Sequence, residues 1–250
     1  MDTTRFAGKV GVVTCGAGGI GRAIATRFVA EGGKIVVGDV KTDTFEEITA
    51  ELGAENCRCV YCDVTDRKSV DAMIQTAYDV FGGFDVMFGN SGINLMKDFL
   101  DFTEEENERI FRVNAFGCFN TTQAAGRAFV AHETKGAIVN TASINVRLAC
   151  PNSTSYAATK GAIAAMTRGA AVEFAKYGIR CNCVAPGPTL TDMMSGQAVD
   201  RFPSYTAPKL LIKRISDPSE QAAVACFLAS NDASYMTGEI VYNCAGWGLS

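Results

Sequence analysis

Short apolar, β-branched runs alternate with helical patterns along almost the whole chain, and this alternation constrains the fold most. The runs read KVGVVT, KIVVGD, CRCVYC, DVMFGN, GAIVNT, IRCNCVA and EIVYN. Most are apolar throughout, which is typical of strands covered on both faces. Helical periodicities lie between them, over residues 19–31, 66–81, 103–131, 154–177 and 218–228. The pattern predicts an α/β fold: a doubly wound parallel sheet of about seven strands with helices on both faces, in three α/β/α layers.

Two of these helices begin at residues that favour a helix start. Thr103 and Glu106 have the spacing of a capping box, in which each side chain satisfies a backbone N–H of the other residue. Pro218 suits the first turn of the last helix, where a missing backbone N–H costs nothing. We therefore expect helices to start near these residues.

The length and composition of the chain favour one domain. With 250 residues, of which 48% are hydrophobic, the chain can bury a full core. No composition shift, repeat or low-complexity tract divides it, so we expect a single domain over residues 1–250. Residues 186–217 form one long irregular segment, and such loops in compact domains often bind ligands. We predict a substrate-binding loop there; a surface segment without function is the alternative.

The charge distribution argues against several kinds of partner. The formal net charge is −4 and no run of Lys or Arg exceeds two residues, so we expect no nucleic-acid partner and no polybasic membrane anchor. The first ten residues lack the apolar core of a signal peptide, and no stretch approaches the ~18 apolar residues of a membrane span. We therefore expect no membrane partner and a cytoplasmic location.

Ten cysteines raise the question of a metal site. Cys57 and Cys59 alternate within one strand-like run, as do Cys181 and Cys183 within another, so each pair shares a strand face. Only one histidine, His132, is present to complete a zinc site. We expect no metal, buried cysteines that act as small hydrophobic residues, and a surface position for His132. A single histidine also disfavours a Ser-His-acid triad.

A glycine-rich turn follows the first predicted strand, in VVTCGAGGIGRAI. It can be aligned in two registers: Gly16, Gly18 and Gly21 as a dinucleotide fingerprint, or Cys15, Gly19 and Gly21 with the first glycine replaced. In either register the turn opens a helix, whose N-terminus favours a pyrophosphate. The sequence therefore predicts a dinucleotide site here.

Asp39 ends the second predicted strand, 18 residues after Gly21. A carboxylate at that point can accept hydrogen bonds from an adenosine ribose and would repel a 2′-phosphate. The turn carries no Lys or Arg before Arg22. We therefore expect NAD as the cofactor in preference to NADP; a solvated turn acid is the alternative interpretation of Asp39.

Tyr156 and Lys160 stand four residues apart on a predicted helix, so they share one face. A nearby ammonium stabilises a phenolate, which allows a tyrosine to act as a general acid and base. The pair alone is more typical of a solvated helix face. Ser143 strengthens the catalytic interpretation, because it follows the strand GAIVNT and lies near the carboxyl edge of the sheet with the glycine turn.

Together these residues resemble the short-chain dehydrogenase/reductase family along essentially the whole chain. The glycine turn, CDVTD, GNSG, RVNAFG, IVNTASI, Tyr-x-x-x-Lys, CVAPGPTLTDM and SYMTGEIVYNCAG occur in the family's order and spacing. The resemblance implies a Rossmann-type fold and a catalytic set of Asn114, Ser143, Tyr156 and Lys160. It implies that Tyr156 exchanges the proton, Lys160 binds the nicotinamide ribose, Ser143 binds the substrate oxygen and Asn114 holds a water.

The same resemblance implies a set of cofactor contacts and favours the second register of the glycine turn. The implied contacts are Cys15, Gly16, Gly19, Ile20, Gly21, Asp39, Val40, Asp63, Val64, Asn90, Ser91, Gly92, Tyr156, Lys160, Pro186, Gly187, Thr189 and Thr191. Cys15 then stands where the family has a glycine, which implies either a negative φ or a displaced phosphate loop. We hypothesise that this thiol makes the protein sensitive to peroxide.

Apolar residues dominate the predicted substrate pocket, which includes Ile144, Leu148, Met193, Met194 and Phe202 or Trp247. We expect a small-molecule alcohol or ketone as substrate, with a bulky apolar secondary alcohol such as a hydroxysteroid favoured. Arg147 is expected to face solvent, with an anionic substrate group as the alternative.

Other functions remain open at this point. Within the family they are reduction of a 3-oxoacyl thioester and oxidation of a sugar or polyol. Outside it they are an NAD-responsive binding protein and a methyltransferase. The resemblance also implies a homotetramer assembled through the helices at 103–131 and 154–177 and the C-terminal segment, and small residues in GAIAAMTRGAAVEFA suit close helix packing.

Overall fold

A seven-stranded parallel sheet forms the centre of the protein, in a computed structural model that describes residues 4–194, 200 and 202–249. Its strands are β1 (Val10–Thr14), β2 (Lys34–Asp39), β3 (Cys57–Tyr61), β4 (Val86–Gly89), β5 (Ala137–Thr141), β6 (Arg180–Pro186) and β7 (Ile240–Asn243). They lie in the order β3-β2-β1-β4-β5-β6-β7, and all pairs are parallel. The order reverses direction between β1 and β4, where ligands of such sheets bind.

Seven α-helices are present in the described part of the chain. They are α1 (Gly19–Ala30), α2 (Phe45–Leu52), α3 (Arg67–Phe81), α4 (Glu104–Phe111), α5 (Gly117–Ala131), α6 (Thr154–Phe174) and α7 (Pro218–Ala229). Helices α1 and α7 pack together on one face of the sheet, and α3, α5 and α6 cover the other. The predicted fold class, a Rossmann-type α/β/α sandwich, is confirmed.

Side chains of the central strands enter two different cores. Val13 of β1 and Val37 of β2 pack towards α1, whereas their neighbours Val12 and Val36 pack towards α3. All four are fully buried, because successive side chains of a strand point to opposite faces and both faces are covered. This explains why the strands appear in the sequence as continuous apolar runs.

The helix boundaries agree with the sequence in part. Thr103 and Glu106 form the capping box expected at the start of α4, and Pro218 opens α7. The long helix expected over 103–131 is interrupted by a π-helical turn at Arg112–Phe116. Helix α2 was not predicted; it has only eight residues, of which Ile48 and Leu52 are buried.

The segment expected to be irregular, 186–217, contains short turns in its described part. These are 3₁₀ turns at Asp192–Met194 and Ala207–Lys209 and a π turn at Phe202–Thr206. A bridge between Thr189 and Ser216 ties its two ends together. Residues 195–199 and 201 lie outside the described residues. None of the helices described is long and apolar enough to span a membrane.

Candidate active site

Three strand ends are joined by hydrogen bonds at the carboxyl edge of the sheet. The Thr14 hydroxyl, at the end of β1, accepts the backbone N–H groups of Asn90 and Ser91 at 3.0 and 3.2 Å. The Asn90 amide donates to the Cys15 carbonyl at 3.3 Å and accepts the Thr141 hydroxyl at 3.2 Å. Asn90 therefore holds the ends of β1, β4 and β5 in register. Sequence reasoning named Asn90 and Ser91 but missed Thr14 and Thr141.

The glycine turn between β1 and α1 needs its glycines for different reasons. Gly19 has φ +52, and a Cβ on Gly21 would run into the Cys15 carbonyl. A Cβ on Gly16 would lie 2.8 Å from Val37 Cγ1, so Gly16 is required by packing. Gly18 has no atom within 4 Å of its Cβ position and an extended backbone. This steric pattern agrees with the register of Cys15, Gly19 and Gly21.

Cys15 adopts φ +52, in the left-handed region that favours glycine. The negative φ considered from the sequence is therefore wrong, and the residue keeps the backbone conformation that a glycine would have. Such a conformation costs a non-glycine residue about 1–2 kcal/mol. Burial, assisted by the charge of Asp39, raises the pKa of the Cys15 thiol to about 11, so the thiol stays protonated at neutral pH.

Asp39 is held at the side of this turn. Its carboxylate accepts the backbone N–H groups of Ala17 and Lys41, both at 3.0 Å, and the residue is 6% exposed. The nearby Arg22 guanidinium pairs with Glu47 and Glu51 of α2. The one basic side chain that the sequence places at the turn is thus engaged away from Asp39.

A cavity of about 510 Å³ opens beside Asp39, Cys15 and Gly92. The sequence-named residues that line it are Cys15, Asp39, Val40, Asp63, Val64, Ser91 and Gly92. The residues that sequence reasoning missed are Cys62, Thr65, Ile93, Glu105, Glu108, Arg109, Arg112 and Val113. Most of the second group lies on α4 and at Arg112 and Val113, and the motif RVNAFG led sequence reasoning to Asn114 but not to these neighbours. The Asp39 carboxylate in its lining can accept hydrogen bonds from the hydroxyls of a ribose.

Helix α6 carries Tyr156 and Lys160 on one face. The Lys160 ammonium lies 5.5 Å from the centroid of the Tyr156 ring and donates to the Thr141 carbonyl at 2.8 Å. A Cβ on Gly92 would lie only 3.3 Å from the ammonium, which places the pair against the turn after β4. Lys160 is 3% exposed, and no carboxylate among the described residues pairs with it. Its charge is therefore available to the phenol and to a ligand.

Asn114 lies fully buried in the π turn that interrupts the helical region. Its side chain accepts the Ile93 N–H at 2.8 Å and donates to the Ile93 carbonyl at 2.9 Å and the Thr159 hydroxyl at 3.1 Å. Asn114 therefore fixes the chain after Gly92 and connects it to α6. Single π turns inside helices occur frequently at functional sites.

Ser143 follows β5 and caps a short 3₁₀ turn at Ile144–Val146. Its hydroxyl oxygen accepts the Asn145 N–H at 3.2 Å, which leaves the hydroxyl hydrogen for donation to a ligand. The Cys150 thiol donates to the Asn145 side-chain oxygen at 3.4 Å. This small network holds the serine at the same strand edge as Thr141.

The predicted cofactor contacts that follow β6 in sequence lie in different surroundings. The Thr189 hydroxyl donates to the Gly187 carbonyl at 3.0 Å and lies 2.9 Å from the Ser216 hydroxyl, so it stabilises the loop itself. Thr191 lies against the glycine turn, with Cγ2 3.1 Å from the Cβ position of Gly19. Pro186 ends β6. Ile20, in the first turn of α1, is partly buried.

The predicted substrate-pocket residues differ in exposure. Ile144 is buried, Met193 is exposed, and Met194, Phe202 and Trp247 are half-buried. The remaining predicted residue, Leu148, packs against the C-terminal turn, 3.0 Å from the Cβ position of Gly248.

Two residues that sequence reasoning placed at the surface are exposed. The Arg147 guanidinium lies 5.8 Å from the Tyr242 ring centroid. The exposed His132 stacks on Tyr78 at 4.1 Å between centroids, at the end of α5. Among the described residues, no cluster of three His, Cys, Asp or Glu side chains could hold a metal ion.

The comparison with known proteins agrees with this geometry. The family model described as enoyl-(acyl carrier protein) reductase matches residues 16–248. The chain belongs to the short-chain dehydrogenase/reductase family. It is an oxidoreductase of this family, whose members generally bind NAD(P).

Relatives of this short-chain dehydrogenase/reductase match along most of their length. An uncharacterised oxidoreductase of Mycobacterium bovis is 39% identical over 234 residues, 93% of this chain and 94% of that one. An L-2,3-butanediol dehydrogenase of Corynebacterium glutamicum is 36% identical over 250 residues, 93% of this chain and 96% of that one. A crystal structure of a short-chain type dehydrogenase/reductase from Mycobacterium marinum has a TM-score of 0.93 at 30% identity, covering 100% and 99% of the two chains.

Proposed function

We propose that the protein is an NAD-dependent oxidoreductase that interconverts a secondary alcohol and a ketone. The observation that carries this proposal is the buried Lys160 ammonium, 5.5 Å from the Tyr156 ring and without a carboxylate partner among the described residues. A buried cation without a counter-ion is costly unless another group uses its charge. A phenolate on Tyr156 and the hydroxyls of a ribose are groups that would use it.

The residues of the cleft fit a nicotinamide dinucleotide. The turn at Gly21 leaves no room for a Cβ, Gly92 lies beside Lys160, and the Asp39 carboxylate borders the cavity in which the adenosine would lie. When bound, the nicotinamide accepts or supplies the hydride. The residues that would hold the dinucleotide are the turn at Cys15–Gly21, with Ile20, Asp39, Val40, Asp63, Val64, Asn90–Gly92, Tyr156, Lys160, Pro186, Gly187, Thr189 and Thr191.

Proton transfer is assigned to Tyr156 and its neighbours. In the oxidative direction the Tyr156 phenolate takes the hydroxyl proton of the alcohol, and the Lys160 ammonium stabilises that phenolate beforehand. The Ser143 hydroxyl donates to the substrate oxygen and holds it beside the phenol. Asn114 positions the chain at Ile93 and Gly92, and a water on its remaining lone pair would connect Lys160 to solvent.

The preference for NAD over NADP rests on the surroundings of Asp39. Its carboxylate would repel a 2′-phosphate, and Arg22, the cation nearest to the turn in sequence, is paired with Glu47 and Glu51. Calorimetric titration with NAD, NADP and S-adenosylmethionine tests this proposal and separates it from the methyltransferase alternative. We expect NAD to bind at least tenfold more tightly than NADP, a difference of about 1.4 kcal/mol. Asp39→Ser is expected to reduce that ratio.

For the substrate we favour a bulky apolar secondary alcohol such as a hydroxysteroid. The exposed Met193 and the half-buried Met194, Phe202 and Trp247 support an apolar binding surface. A small diol or its ketone is the second candidate, because a relative is a butanediol dehydrogenase. Absorbance of reduced nicotinamide over a panel of steroids, sugars, diols and acyl thioesters decides between them, and turnover of sugars alone would overturn the apolar assignment.

Assembly and location complete the proposal. Phe116, Phe119 and Val172 are 63, 49 and 79% exposed, on the helical regions that the family resemblance assigns to subunit contacts. We propose a homotetramer, which light scattering after size-exclusion chromatography tests directly. All ten cysteines are free thiols, which suits the cytoplasm.

A further inference from the structure

Two cysteines lie side by side on β3, the edge strand of the sheet. Cys57 and Cys59 of β3 point to the same face, and their sulfur atoms lie 4.0 Å apart. Cys57 is buried, whereas Cys59 is partly exposed. Strand β3 pairs only with β2, so its outer edge has no strand partner in the described part of the chain. The pair lies outside the active site described above and has no role in the proposed reaction.

The surroundings of this pair favour a thiolate on Cys59. The hydrogen bond with the Cys57 thiol lowers the pKa of Cys59, and the Thr49 hydroxyl at 3.7 Å and the Arg22 and Arg58 charges act in the same direction, whereas burial opposes them. Conversely, the hydrogen bond to Cys59 and burial raise the pKa of Cys57. Most other cysteines, such as Cys62, have a pKa raised by burial. Cys59 differs from them because its pKa is lowered and its side chain is partly exposed, which favours the reactive thiolate.

We propose that Cys57 and Cys59 form an oxidisable dithiol, which a peroxide converts into an intrachain disulfide that weakens dinucleotide binding. The Cys59 thiolate attacks one peroxide oxygen, the O–O bond breaks, and the sulfur becomes a sulfenic acid while hydroxide leaves. Cys57 then attacks that sulfur, the S–S bond forms, and the S–O bond breaks. The released hydroxides take up the two thiol protons. Two thiols and one hydrogen peroxide thus give one disulfide and two waters.

Formation of the disulfide requires a change in the backbone of β3. The sulfur atoms have to approach from 4.0 Å to about 2.05 Å. Alternate residues of a parallel strand have Cα atoms about 6.6 Å apart, close to the upper limit for a disulfide. The strand therefore has to shorten locally, which strains its pairing with β2 at Ile35 and Val37 but disturbs no second partner strand among the described residues. A strained disulfide of this kind is readily reduced again.

The shortening acts on the adenosine side of the cleft. Only Val60 and Tyr61 separate Cys59 from Cys62, whose N–H donates to the Asp39 carbonyl at 2.9 Å. Cys62 and the following Asp63 both line the cavity in which the adenosine is proposed to lie. The Tyr156 and Lys160 pair is on α6, which does not pack on β3. We therefore expect oxidation to raise the KM for the dinucleotide more than it lowers kcat.

The formation of the disulfide is tested by treating the intact protein with hydrogen peroxide, digesting it with trypsin and measuring the peptide masses. Arg58 lies between the two cysteines, so trypsin separates them into two peptides unless a disulfide joins them. We expect joined peptides with a mass lower by two hydrogen atoms in the wild type, and sulfenic acid on Cys59, trapped by dimedone, in Cys57→Ser. Separate peptides with both thiols unoxidised in the wild type would overturn the proposal.

The functional part rests on the proposed dinucleotide-dependent activity, whereas the mass measurement does not, so their failures can be told apart. After peroxide we expect the KM for NAD to rise about threefold to tenfold and to recover with dithiothreitol. Cys59→Ser should lose this response, and Cys226→Ser, a change at a buried cysteine of α7, should keep it. A response that persists in Cys59→Ser would instead point to Cys15 and refute the role of the dithiol.

Discussion

Hydrogen bonds of the Thr14, Asn90 and Thr141 side chains hold three strand ends together, whereas the described part of the segment after β6 consists of short turns. These are the regions proposed to bind the adenosine and the substrate at the two ends of the cleft. Asn90 alone connects the ends of β1, β4 and β5. In contrast, the described part of 186–217 has exposed apolar residues such as Leu190 and Met193. A cofactor common to a family needs a fixed frame, while substrate choice can change with one loop. Mutations at the two ends should therefore separate cofactor binding from substrate selection.

The largest effect is expected where the two ends meet. Tyr156→Phe removes the hydroxyl that would exchange the proton, so kcat should fall about 10²–10⁴-fold. Calorimetry should give a Kd for NAD that changes far less than kcat, because the other residues that would hold the dinucleotide, including Asn90, are intact. Tyr177→Phe, on the exposed turn after α6, is the matched control and should leave kcat unchanged. A retained kcat in Tyr156→Phe would indicate another proton donor.

A second substitution is expected to affect only cofactor binding. Gly21→Ala places a Cβ against the Cys15 carbonyl, so the turn must move, and we expect the Kd for NAD to rise about tenfold or more. Gly18→Ala is the control, because Gly18 has free space and an extended backbone. The unfolding temperature should also fall more in Gly21→Ala than in Gly18→Ala. If Gly18→Ala were the more damaging, the first register of the turn would be the functional one.

These two ends also differ in how far the sequence predicts them. The strands and the pairing of Tyr156 with Lys160 on one helix face follow from local periodicity, since both depend on residues a few positions apart. The bond from Asn90 to Thr14 joins residues 76 positions apart, and no local pattern contains it. The π turn around Asn114 could not be predicted from the sequence either, because its residues are compatible with an ordinary α-helix. Motif resemblance could name Asn90 and Asn114 but could not assign their bonds.

The pairing of Arg22 with α2 shows the same limit. The sequence places Arg22 at the end of the glycine turn, where it could have met a phosphate. The two carboxylates that engage it belong to α2, a helix too short to be predicted. The expectation of NAD used Asp39 and the lack of a basic residue before Arg22, but it could not include the ion pairs of Arg22 with Glu47 and Glu51.

A third change addresses the substrate end alone. Met193→Ala shortens an exposed apolar side chain in the turn at Asp192–Met194, and we expect the KM for an apolar ketone to rise about threefold to tenfold. The Kd for NAD should not change. Val80→Ala, an exposed apolar change on α3, serves as the control in the same assay. An increase in KM only for small diols would favour the second substrate candidate.

The smallest effect is expected at Cys15, within the rigid end. Cys15→Gly relieves the left-handed strain, worth about 1–2 kcal/mol, but the greater freedom of glycine in the unfolded chain offsets part of it. We therefore expect the free energy of unfolding in urea to rise by about 0.5–1 kcal/mol. Cys15→Ala removes the thiol and keeps the Cβ, so it should gain nothing. An equal increase in the free energy of unfolding in both variants would show that the thiol, and not the backbone conformation, destabilises the protein at this position.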